Sequence, residues 1–257
     1  MDNYNRKMDD YNRGTPVYSV ASEPGTATRS IAKNFMANVF IWMFLALGIS
    51  AFFAFLFSTN SQLLSYLIDF ETGKMLLPGW IVMLAPLGFV MIMSFAYSRL
   101  SAVAITSLFL LYSAINGISF SFILLAYTAG SVLGCFLSAA LMFGVMAVMG
   151  YTTSKDLTGF GRILMMGLIG ILIAIVVNFF LKSGTLDYIV SIIGVMIFTG
   201  LTAYDVQKLK RIGEGIEVDG VGSSQTRKLA IIGALSLYLD FINIFLFLLR
   251  LFGGRRD

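Results

Sequence analysis

Residues 229–249 read LAIIGALSLYLDFINIFLFLL, an unbroken apolar run whose single charge, Asp240, falls near its middle. A helix rises about 1.5 Å per residue, so this run crosses a hydrocarbon core of about 30 Å and leaves Asp240 roughly 16 Å deep. A carboxylate at that depth costs roughly 2.5–3.5 kcal/mol, which makes Asp240 a functional-site candidate facing the interior of a helical bundle. The apolar stretch before it, from Tyr188 to roughly Leu209, closes with TGLTAYDVQKLK, Thr199–Lys210, and carries Asp205 a turn before Lys208, Lys210 and Arg211. Two antiparallel helices can bring both acids to one interior face; where they meet, burial and like-charge repulsion favour one shared proton and titration as a unit. The plainer alternatives are an interfacial Asp205 beside the lysines and an Asp240 that serves as a structural hydrogen-bond partner.

The rest of the chain fits a membrane bundle. Of 257 residues, 58% are hydrophobic and 12% charged, with a mean hydropathy of +0.84; soluble domains average about 45–50% and about 25%. Apolar runs of about 20 residues span as helices, so the expected fold class is all-α, a polytopic membrane bundle of seven transmembrane helices. The earlier runs are placed near 34–57, 78–97, 102–127, 131–151 and 163–181. Residues 1–30 are polar and without periodicity and are expected to form a disordered cytoplasmic tail ahead of one transmembrane domain, residues 31–257. They do not have the layout of a secretory signal.

The charge balance of +4 is modest and its basic residues sit beside spans, which points to the lipid bilayer and not to nucleic acid. With seven spans, thirteen Lys and Arg fall on the amino-terminal side and five on the other, so the amino terminus is expected in the cytoplasm. The ending RLFGGRRD violates that rule locally; either the last helix spans against its own charge bias or it is re-entrant. There is no histidine, and Cys135 is the one cysteine. Common nucleophile–base pairs and zinc sites are therefore out of reach, no cofactor is expected, and any titration between about pH 5 and 8 falls to carboxylates. An intramembrane aspartyl protease also uses two acids, but here neither acid follows a glycine: the contexts are Ala-Tyr-Asp and Tyr-Leu-Asp. The chain is not expected to be an enzyme.

Several polar residues invite two readings. Arg99 is the only charged residue between Lys74 and Lys155 and reads either as a snorkelling anchor or as a guanidinium paired with Asp205. Asn116, beside Gly117, and Asn243 are candidates to line a polar path, though a buried Asn also serves as helix–helix glue. Pro86 should kink the second span. Gly130 and Gly134 have the spacing of tight helix packing. Glu214, Glu217 and Asp219 read as a solvated loop, since the spacing of a calcium loop is missing.

Seven apolar spans, the sixth ending TAYDVQKLK and the seventh containing LYLDFINIF, resemble the Bax inhibitor-1 family, the TMBIM or YccA-like membrane proteins, in a bacterial form. The resemblance implies a bundle wrapped around a central last helix and a pH-dependent leak of calcium ions across a bacterial plasma (inner) membrane. The family's pH sensor falls on Asp205 and Asp240, with Arg99 as the associated arginine, and calcium ions and protons are then the partners, with the two aspartates as calcium contacts. A membrane-embedded regulator of a stress response or of a membrane protease, which binds other membrane proteins and transports nothing, is the alternative. A proton-coupled transporter would also use an acid pair, but no internal repeat is visible.

Overall fold

The computed structural model describes residues 26–218 and 221–256. Seven long helices account for most of it: α1 Thr26–Thr59, α2 Leu77–Phe95, α3 Ala102–Ala126, α4 Ala129–Thr152, α5 Thr158–Leu181, α6 Gly184–Val218 and α7 Ser223–Phe252. All seven are long and apolar enough to cross a membrane. The chain is a polytopic helical bundle, and its last helix is central. In α7 72% of the apolar span is buried inside the bundle, against 11% in α2 and in α5.

Aromatic and polar side chains explain that position. Phe241 meets Phe136 and Phe143 of α4 edge-on at 5.2 and 5.8 Å. Tyr238 meets Phe109 and Tyr112 of α3 at 6.3 and 5.5 Å, and Phe247 lies against Phe198 of α6 at 5.9 Å. Such rings bury large areas and hold their partners in preferred geometries. α7 runs the full height of the bundle. Near its start Lys228 lies over the Tyr97 ring at 4.8 Å, just beyond α2; after its end the Gly254 carbonyl accepts from the Thr128 N–H at 2.9 Å, and the Arg256 N–H donates to the Ala126 carbonyl at 3.0 Å. The last helix therefore spans and is not re-entrant. Of the arginines on that end, Arg250 is matched by Asp187 in the first turn of α6, at 3.7 Å.

Two expected boundaries move furthest, by eight and nine residues. α1 is helical from Thr26 and α6 continues to Val218, past the expected end near Leu209. The two extensions pack on one another: a Cβ on Gly213 would stand 3.4 Å from Ala32 and 3.0 Å from Phe35 just after it, and Ile216 is buried. Apolar contact outside the span thus carries both helices beyond the bilayer thickness. Glu214 consequently sits on a helix and not in a loop. The side chain of Glu217, Asp219 and the first 25 residues of the expected tail lie outside the described residues.

Proline and glycine act through specific contacts. Pro86 lies inside α2 and has no N–H to give the Val82 carbonyl four residues back; the Ser119 hydroxyl of α3 donates to that carbonyl at 2.7 Å instead. Gly117 lets α3 approach α1 so closely that a Cβ would enter the backbone of Ser50, and Gly150 does the same for α4 against Ala203 of α6. Gly130 and Gly134, by contrast, have no atom within 4 Å of an added Cβ, so the spacing that suggested tight packing marks an outward surface. Gly117→Ala should therefore destabilise the protein by about 1–3 kcal/mol, read as an earlier thermal unfolding in detergent, while Gly134→Ala should leave that midpoint unchanged.

Candidate functional site

Gly233, Ser236, Asp240 and Phe247 recur on α7 at intervals of three, four and seven residues, which is one face of a helix. That face meets α6. A Cβ on Gly233 would touch Leu209, the Ser236 hydroxyl donates to the Asp205 carboxylate, and Phe247 covers Gly194. Asp240 lies in the same row and is 4% exposed. Among the described residues its Oδ2 has no hydrogen-bond partner, and Asp205 is the ionisable group whose charge acts on it.

The two acids are therefore neighbours without being directly bonded. Asp205, half-buried, is held by Ser236, and Ser236 precedes Asp240 by one helical turn, about 5–6 Å along the axis. The arrangement is acid, hydroxyl, acid. Ser236 carries no charge and no motif, and only its place four residues before Asp240 in LSLYLD signals it. Lys208, one turn after Asp205, is the cation that acts on that carboxylate. Arg99 does not. It lies in the turn after α2, exposed, and the ion pairs among the described residues are Arg211–Asp156 and Arg250–Asp187. α2 borders α3, and the turn that carries Arg99 meets the start of α7, where Tyr97 lies under Lys228.

Asn116 belongs to a second polar cluster. Its amide donates to Tyr238 Oη at 2.8 Å, Ser50 Oγ shares a hydrogen bond with the same oxygen at 2.8 Å, and Ser50 also donates to the Ser113 carbonyl at 2.7 Å. Tyr238 and Asp240 are two residues apart, hence at nearly one depth but about 200° apart around α7. Asn116 faces α7 from the α1–α3 side. Asn243 returns its amide to the Leu239 carbonyl of its own helix at 2.8 Å. These two asparagines do not meet along a common path.

Beyond Asp205, α6 grips the α4–α5 connection. Gln207 accepts from the Leu157 N–H at 2.8 Å and donates to the Lys155 carbonyl at 2.7 Å; Lys210 donates to the Tyr151 carbonyl at 3.1 Å. Arg211 Nη2 pairs with Asp156 Oδ1 at 2.8 Å while its Nη1 donates to Thr158 Oγ1 at 3.2 Å. The Thr158 hydroxyl and N–H, followed by the Arg211 guanidinium, hold the exposed Asp156 carboxyl down to about 2.

The family model described as "Inhibitor of apoptosis-promoting Bax1" matches residues 32–257, which takes in all seven spans. The chain belongs to the Bax inhibitor-1 family. Among relatives in this Bax inhibitor-1 group, the inner membrane protein YbhL of Escherichia coli strain K12 is 46% identical over 228 residues, covering 89% of this chain and 94% of the relative. An uncharacterized protein of Borreliella burgdorferi is 42% identical over 88% of this chain and 94% of its own length. One from Caulobacter vibrioides is 36% identical over 97% and 100%.

The Asp156 latch sets a pH expectation. Because the folded carboxyl is depressed to about 2, its contribution is complete above the ordinary carboxylate range and is lost only as pH falls toward about 2. Asp156→Asn should consequently shift the thermal midpoint by the same small amount at every pH from about 5 to 8; a shift that varied across that range would show the latch titrating there.

Proposed function

We propose that this chain is a proton-regulated calcium leak of a bacterial inner membrane, with its amino terminus in the cytoplasm, and that Asp205, Ser236 and Asp240 form its sensor. The observation that carries the reading is Asp240: a carboxyl 4% exposed at mid-span whose Oδ2 has no partner among the described residues. Such a group is stable only while a proton, a cation or water answers it. With the proton on, the acid, hydroxyl, acid row can hold α6 against α7; with it removed, two like charges a turn apart favour separation of the helices or the arrival of a cation.

Ionised carboxylates are the hard oxygen ligands calcium prefers. Calcium takes six to eight oxygens, and among the described residues no group of three or more acidic, cysteine or histidine side chains gathers to supply them. The two aspartates then act as a passing contact, with water and backbone carbonyls completing the shell, and that suits a leak more than a storage site. The charge distribution of thirteen basic residues against five supports a cytoplasmic amino terminus, and the relative named as an inner membrane protein supports the compartment.

Calcium flux into dye-loaded liposomes tests this across about pH 5–8. The wild type should give a flux that titrates, and Asp240→Asn should flatten it to less than about twofold variation over that range. Ser236→Ala should move the midpoint of the pH profile, since it leaves Asp205 without its donor, whereas Arg99→Gln should retain the wild-type profile. Wild-type flux no higher than in empty liposomes at every pH would discard the leak in favour of a regulator that transports nothing.

A further inference from the structure

Between the start of α5 and the part of α6 that follows Asp205 lies a hollow of about 270 Å³, walled by Thr158, Tyr204, Gln207, Lys208, Arg211 and Ile212. We propose that it binds the phosphate of an anionic phospholipid headgroup, with Lys208 and Arg211 as the anchoring cations. The site is argued from its own geometry and stands apart from the calcium reading.

Three features support it. The first is charge. Lys208 is exposed and in no ion pair among the described residues. Arg211 spends one N–H on Asp156 and one on Thr158, and a guanidinium has five. Arg162, exposed, stands one turn after Thr158 on the same side of α5. Of the nearby acids, Asp156 is committed to Arg211 and Asp205 is held by Ser236 on the α7 side, so Lys208, Arg211 and Arg162 leave the hollow cationic. A planar donor fork beside a flexible ammonium suits a tetrahedral anion.

The second is position. The hollow opens where two spans meet the interface on the amino-terminal side, and basic pockets between transmembrane helices at that level take acidic headgroups. Tyr204 supplies an aromatic wall, fixed because its ring occupies the space above Gly161.

The third is what continues from it. Along the outer side of α5, Phe160, Ile163 and Met166 are 49%, 65% and 72% exposed, and α5 as a whole is only 11% buried. An exposed apolar face on the same helix that walls a cationic hollow matches a molecule with a phosphate head and acyl tails better than a free soluble anion. The occupant also lies within one turn of Asp205, whose carboxylate feels the charge of Lys208.

The test uses the full chain in mixed micelles containing equal phosphatidylglycerol and phosphatidylcholine, with the lipid retained per folded protein counted by mass spectrometry. Phosphatidylglycerol should be retained in preference, Lys208→Gln should lower that retention about fivefold, and Lys208→Gln with Arg162→Gln should lower it further. Lys74→Gln, an exposed lysine on the opposite face, should leave it unchanged. The melting midpoint of Lys208→Gln should equal that of the wild type, because the side chain is exposed, and Lys208→Arg should restore retention. Equal retention of both lipids, or equal losses for Lys208→Gln and Lys74→Gln, would overturn the proposal. Displacement of phosphatidylglycerol by millimolar inorganic phosphate would overturn it too, by showing a site for a soluble anion.

Discussion

Hydrocarbon offers no hydrogen-bond partner, so every polar group on the central helix must be answered by a neighbouring helix. α7 places four in its middle turns, and the bundle around it can be understood as the set of answers. Tyr238 is met by Ser50 of α1 and Asn116 of α3. Ser236 is met by Asp205 of α6. Asn243 turns its amide back to its own backbone. Asp240 is left with one oxygen unanswered, and the functional reading grows from that remainder.

The same constraint governs the backbone. Pro86 frees the carbonyl of Val82 and Ser119 of the next helix takes it up. Where helices come closest, at Gly117 against Ser50 and Gly150 against Ala203, the missing Cβ lets dispersion act between backbones. In water such contacts would compete with hydration. In lipid they are the main source of helix association, since apolar side chains gain little by leaving one hydrocarbon surface for another.

The bundle also divides the two ends of α6 by chemistry. Within the span Gly194 and Asp205 pack on α7, at Phe247 and Ser236. Beyond the span its long polar side chains, Gln207, Lys210 and Arg211, hold the α4–α5 connection through hydrogen bonds and one ion pair. A single rigid helix thereby joins the acid row to the membrane surface, where Lys208 and Arg211 face the hollow beside α5.

The sequence by itself determined the class, the number of spans, the two acids and the family. The first three rest on run length against bilayer thickness, hydropathy, and the cost of a charge within a span; the family rests on the motifs TAYDVQKLK and LYLDFINIF. The tertiary structure decided the partners. Arg99 and Asp205 read equally well as a pair or as strangers from their spacing, and only the folded structure separates them: Arg99 stands in an exposed turn beside the start of α7 and joins no ion pair among the described residues. Ser236, an ordinary hydroxyl in an apolar run, becomes the link between the acids because α6 crosses α7 at that turn. The extension of α6 to Val218 is likewise invisible in hydropathy, since Gly213 lies against Phe35 and Ala32 of the first helix and Ile216 is buried. Periodicity and composition describe what one helix presents; which side chain answers it depends on the crossing of two helices, and that is fixed by packing in three dimensions.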